Sequence, residues 1–256
     1  MNVTINNDTQ LKMSSATKRK HGLVNTVMWF LVLAIVPQVN AMIILFFYYS
    51  LAQGSMASIT NFGDWYSSIS ILSISALIGL LITFPLLLKA TPAKSLRECF
   101  KYWAMFRIQS KELAIWGVLF AILFGVIQVA GWVLEVPTEP FIIDMKKEVT
   151  SSISIVILFL TAGGLAPIVE EIIYRGWLYQ RLIDCNIGAK KVVILTSLVF
   201  ALVHSQYEQG FTFITIFSFG LLFAYIRYKS QNITYSIIIH ILYNSALLFY
   251  TLFFMA

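Results

Sequence analysis

From Leu113 to Leu134 the chain carries no charged residue. A helix of about 20 apolar residues is long enough to cross the ~30 Å hydrocarbon core of a bilayer. Six other runs are predominantly apolar, so seven spans are expected, at about 26–52, 66–88, 113–135, 152–185, 191–205, 211–228 and 233–255. Only 12% of the 256 residues are charged, against about 25% in soluble domains. A soluble fold is excluded on that ground. Lipid offers no partner to backbone N–H and C=O groups, so the spans must be helical. The expected fold is all-α: a polytopic transmembrane helix bundle of about seven spans.

The net charge of +6 does not point to nucleic acid, because the basic residues are distributed as orientation signals. Lys12, Lys18, Arg19 and Lys20 precede the first span, and six basic residues fall in the 89–112 loop. Arg175, Arg181, Lys190 and Lys191 surround the turn after the fourth span, and Arg227 and Lys229 follow the sixth. Sixteen of the eighteen Lys and Arg therefore fall on one side, leaving Lys146 and Lys147 on the other. Cytoplasmic loops hold the excess of Lys and Arg. The N-terminus is thus expected inside and the C-terminus outside.

The organisation read from this pattern is a basic tail (1–25), N-terminal membrane helices with a basic loop at 89–112 (26–150), and a C-terminal core (151–256). The first apolar run is expected to stay as an anchor, kinked near Pro37. The 89–112 loop, with Trp103 and Phe106 among its basic residues, reads either as an amphipathic surface segment or as a solvated loop. Cys99 and Cys185 form no disulfide framework.

Against this apolar background three polar clusters stand out: Glu170-Glu171-x-x-x-Arg175, Phe200-x-x-x-His204 and His240-x-x-x-Asn244. Residues four apart share a helix face. Glu171 can therefore pair with Arg175, while Glu170, turned by about 100°, faces elsewhere. His240 shares a face with Asn244, and Phe200 with His204. Counted from the cytoplasmic ends of their spans, the clusters reach similar depths, as the walls of one cavity would. Each cluster also has a plain structural use, as a neutralised ion pair or as interhelical hydrogen bonding.

A carboxylate and an imidazole can deprotonate water. An amide and a second imidazole can donate to an oxyanion. Together they suffice for peptide-bond hydrolysis without a covalent intermediate. Two imidazoles and a carboxylate can also ligate zinc, although no His-Glu-x-x-His helix is present. Buried Glu, His and Arg build proton relays in transporters as well, and a binding protein without catalytic activity is a third reading.

The three motifs, in this order and on helices, resemble the CAAX protease and bacteriocin-processing family, also called the Abi family. Its members are intramembrane proteases related to the type II CAAX prenyl endopeptidases. The resemblance covers residues 160–250. It implies that Glu170 and His204 activate water, that His240 and Asn244 form an oxyanion hole, and that Glu171 and Arg175 support Glu170. The family has been described as metallopeptidases, while its better-understood members resemble a metal-free glutamate mechanism. The expectation is accordingly no cofactor, with zinc as the disfavoured alternative. The implied substrate is a membrane-anchored protein or peptide, prenylated or not, in a prokaryotic cell membrane.

Overall fold

A computed structural model describes residues 22–54, 59–66 and 68–255 of the chain. The tail residues Lys12, Lys18, Arg19, Lys20 and His21 lie outside the described residues. Among those described, ten helices and no strand form. They are α1 (Leu23–Gln53), α2 (Ile59–Tyr66), α3 (Ile69–Ala90), α4 (Leu96–Tyr102) and α5 (Ser110–Val133). After them come α6 (Pro140–Glu148), α7 (Ser152–Asp184), α8 (Ala189–Leu202), α9 (Gly210–Ser230) and α10 (Thr234–Phe253). The expected bundle is what forms, and the chain is a multi-pass membrane protein. α1 runs as one helix through Pro37.

Six of the ten helices are long and apolar enough to cross a membrane. The expected span at 191–205 is not among them. α8 has 14 helical residues, or about 21 Å, short of the ~30 Å core. The chain nevertheless passes from one end of the bundle to the other here. At one end, Asn232 Nδ2 donates to the carbonyls of Phe106 (3.3 Å) and Arg107 (3.2 Å), and Tyr102 donates to Asp184 at 3.0 Å. At the other, Glu148 accepts from Ile69 N at 2.7 Å, and Lys146 donates to the carbonyl of Met255. Glu139, in the loop before α6, accepts from the amides of Glu208 (3.3 Å) and Gln209 (3.1 Å). The seventh passage is therefore completed by the non-helical 203–209 segment. Irregular backbone at membrane depth persists where protein or a cavity supplies its partners, and here Glu139 supplies two.

Three basic residues do not act as the sequence suggested. Arg175, Arg181 and Arg227 are buried inside the bundle and are not loop charges. The Lys/Arg asymmetry survives their removal. Among the described residues, nine exposed Lys and Arg (Lys89, Lys94, Arg97, Lys101, Arg107, Lys111, Lys190, Lys191, Lys229) sit at the end holding the 89–112 loop, with Lys146 and Lys147 opposite.

That loop is no surface ribbon either. Its helix α4 is capped by Ser95, whose Oγ accepts from Glu98 N at 3.3 Å. Trp103 follows, fully buried, with its indole N–H donating to Thr91 Oγ1 at 2.9 Å. Only glycine fits opposite it: a Cβ at Gly176 would stand 2.9 Å from Trp103 Cβ. Trp103, Trp177, Leu87, Tyr174 and Phe200 belong to the largest core cluster, which closes the basic end.

The topology is checked with cysteine probes. A cysteine at Asp144 should react with an impermeant maleimide on intact cells, and one at Arg97 only after permeabilisation. Native Cys99 should stay silent in both, being buried and with its thiol pKa pushed up by burial and by Glu98. The opposite labelling pattern would invert the bundle.

Candidate active site

The backbone of α7 sets the site. Its helix is not uniform: wide, π-type turns at Phe159–Leu165 and Ile172–Leu178 flank a regular stretch at Ala166–Glu171. Such turns free carbonyls and often accompany functional sites. Here the amide of Ala166 donates to Thr161 O, five residues back. The next donor in that register would be Pro167, which has no N–H. Ala162 O is left over, and Asn244 Nδ2 donates to it at 3.0 Å. Beside it, Ser245 Oγ donates to Gly163 O at 3.3 Å. The second wide turn behaves alike. Tyr179 N–H reaches back to Tyr174 O, and Arg175 O accepts from Arg227 Nε at 3.2 Å. Side chains of α9 and α10 thus satisfy the carbonyls that α7 releases.

Glu171 and Arg175 form the expected pair. Arg175 Nη1 donates to Glu171 Oε1 at 3.0 Å, with both side chains fully buried. Arg175 Nη2 donates to Gly220 O at 3.1 Å, and its guanidinium lies 4.2 Å from the Phe200 ring centroid. α9 can come this close because residue 220 is glycine. A Cβ there would lie 3.3 Å from Ser197 Cβ and 3.4 Å from the Arg175 guanidinium.

The support given by this pair runs to a different residue than the resemblance implied. Glu171 Oε1 also takes His240 Nδ1 at 3.0 Å, so the pair orients His240. The ring is held from its face by Phe223, stacked with centroids 4.9 Å apart. With Nδ1 engaged, Nε2 points on toward Glu170, 3.8 Å from Oε2. Glu170 is turned away from the pair, as helix geometry requires, and lines a cavity of about 370 Å³.

His204, Phe200, His240 and Asn244 line the same cavity. All three sequence clusters therefore meet there, although Glu171 and Arg175 stand behind the wall. His204 lies two residues beyond the end of α8, and not on the helix. Its Nδ1 sits 2.6 Å from Phe200 O, which leaves Nε2 for the cavity. Asn244 keeps one amide proton after bonding Ala162 O. Both imidazoles thus have Nδ1 committed to protein. Among the described residues no three His, Cys, Asp or Glu side chains are gathered closely enough to hold one metal ion.

Residues that the sequence reading passed over complete the walls. Ile69, Leu72, Ser73 and Ala76 come from α3, and Glu139, Phe141, Ile142 and Met145 from α6 and the residue before it. Glu139 is buried and clamps the segment carrying His204. An acidic residue just before a proline at a helix start was the available signal.

Residues 152–246 match the family described as type II CAAX prenyl endopeptidase Rce1-like. This segment is similar to Rce1-like domains. It contains Glu170, Glu171, Arg175, His204, His240 and Asn244. An uncharacterised 24.3 kDa protein of Escherichia coli is 28% identical over 131 residues, covering 48% of this chain and 57% of that protein. The match thus spans little more than half the length of that relative. No solved structure matches.

The ion pair behind the cavity wall is testable. Arg175→Ala takes away the guanidinium that neutralises buried Glu171 and leaves it only the His240 imidazole, and breaking a buried pair in this way costs about 3–5 kcal/mol. The expected outcome is a sharp fall in monodisperse protein from detergent extracts. Glu170→Gln, in a cavity-facing side chain, should leave that yield unchanged. Equal yields from Arg175→Ala and wild type would remove the pair from its supporting role.

Proposed function

We propose that the chain is an intramembrane endopeptidase that hydrolyses a peptide bond of a membrane-associated protein or peptide with a water activated by Glu170. The observation that carries this reading is the convergence of Glu170, His204, His240 and Asn244 on one cavity, with Glu170 Oε2 and His240 Nε2 3.8 Å apart. That gap is too long for a direct hydrogen bond and is suited to a shared water.

In this mechanism Glu170, aided by His204, takes a proton from water as the oxygen attacks the scissile carbonyl carbon. The carbonyl oxygen becomes an oxyanion and accepts from Asn244 Nδ2 and His240 Nε2. The C–N bond then breaks, the amine leaves with the proton returned through Glu170, and a carboxylate and an amine result. Donors fixed in advance are worth most in a site that excludes bulk water. Asn244 is fixed by Ala162 O, and His240 by Glu171 and the Phe223 ring. For His240 to donate from Nε2 while Nδ1 donates to Glu171, the ring must carry both protons. The carboxylate of Glu171 faces that charge. Arg175 fixes Glu171 in turn, so the deep ion pair acts on catalysis through the imidazole.

The same reading takes the reaction to be metal-free. A zinc mechanism would share Glu170 and His204, so inactive variants of those two do not separate the alternatives. Asn244 does. As an oxyanion donor it acts in the transition state, and Asn244→Ala should lower kcat by about 10²–10³ with KM little changed. Amide side chains are not among the usual zinc ligands, so a zinc enzyme should tolerate the change better. Purified wild type, stripped with a strong chelator, should still cleave a membrane-anchored peptide library near its full rate, while Glu170→Gln should not cleave it. Activity lost to the chelator and restored by Zn²⁺, together with a mild Asn244→Ala phenotype, would turn His204, His240 and Glu170 into metal ligands.

A further inference from the structure

We infer that the catalytic cavity opens to the non-cytoplasmic face of the membrane, and that its substrates are extracytoplasmic peptides or the outer juxtamembrane stretches of membrane proteins. The inference deepens the peptidase reading and rests on it for the word substrate. The opening itself rests on geometry alone.

The cavity walls are drawn from one half of the bundle. α3 contributes Ile69 to Ala76, its first two turns, at the end where Glu148 holds Ile69 N. α9 contributes Thr212 to Phe223, counted from the end held by Glu139, and α10 contributes His240 to Leu248, toward its C-terminus. The α6 segment, which carries Lys146 and Lys147, supplies Glu139, Phe141, Ile142 and Met145. No lining residue comes from the 89–112 loop or from the turns that follow α7 and α9.

The basic end is sealed. Below Glu170 and His240 lie Glu171, Arg175, Phe200 and Phe223, all buried, and beneath them Trp103 packed on Gly176 and Trp177 bonded to Ala90 O at 3.1 Å. Exposure rises in the other direction: Glu170 is 29% exposed, and Gln206 at the rim is exposed. The exposed rim of the cavity therefore lies at the end away from the nine exposed basic residues. By the Lys/Arg asymmetry that end is outside. A prenylated C-terminus displayed at the cytoplasmic surface would meet the sealed face.

Two measurements test this, one of which needs no activity. In the full chain, single cysteines at Thr215 (inside the cavity wall) and at Gln206 (on the rim) are treated with a membrane-impermeant cationic methanethiosulfonate, against the parent protein as background. Both should be modified on intact cells and should lose that modification in sealed inverted vesicles. Modification in inverted vesicles alone, or at neither face, would overturn the outer opening. In the second arm, one tagged juxtamembrane peptide is placed on either side of a single-span reporter protein. Wild type should cleave the outside version and spare the cytoplasmic one, and Glu170→Gln should cleave neither. Cleavage confined to the cytoplasmic version overturns the inference. Outside modification with no cleavage in either orientation would sink the peptidase reading and leave the opening standing.

Discussion

The buried Glu171–Arg175 pair is the interaction on which the rest of the bundle depends. It joins three helices through one guanidinium and one carboxylate. Arg175 binds Glu171 on its own helix and Gly220 O on α9, and Glu171 binds His240 on α10. The Phe200 ring of α8 closes over the cation. Isolated charges at this depth cost at least ~2.5–3.5 kcal/mol each on insertion scales. Their pairing removes the net charge, and their remaining hydrogen-bonding capacity fixes neighbouring helices at set distances. Packing between apolar helices in lipid has little directional preference. A charged pair with partners on several helices supplies the direction that leucine contacts lack.

Around that pair α7 trades regular helix for usable carbonyls. Two wide turns and one proline interrupt the i to i−4 ladder, and the carbonyls of Ala162, Gly163 and Arg175 accept from side chains of α9 and α10. The same bonds that repair the backbone also aim the candidate reactive groups. Asn244 is aimed by Ala162 O, and Arg175 is steadied through its own carbonyl by Arg227. Local irregularity and site geometry are in this sense one device.

The membrane class, six of the seven expected spans and the convergence of three clusters were legible in the sequence because each rests on a periodicity or a length. Apolar runs mark spans, a spacing of four marks a face, and equal depths mark a common level. What was not legible depends on tertiary partners. Nothing local distinguishes Arg227 or Arg181, buried, from Lys229, exposed. Trp103 reads as amphipathic until Gly176 is known to face it. Glu139 reads as a loop charge until the amides of Glu208 and Gln209 are brought to it by the fold. α8 looked like an ordinary span because no charged residue interrupts 192–207, while its helix stops at Leu202. The support of His240 by Glu171 was missed for a related reason: sequence spacing relates residues within a helix, and this contact runs between two.

The division of the cavity walls carries a consequence for the protein's history. Every group proposed to react lies between residues 152 and 246, whereas Ser73, Leu72, Phe141, Ile142 and Met145 lie upstream of that segment. The reagents and the mould into which they are set are thus encoded apart along the chain. Changes upstream can recast the shape of the chamber without touching the groups set into it. By the same token residues 152–246 transplanted alone would be a chamber with one side missing.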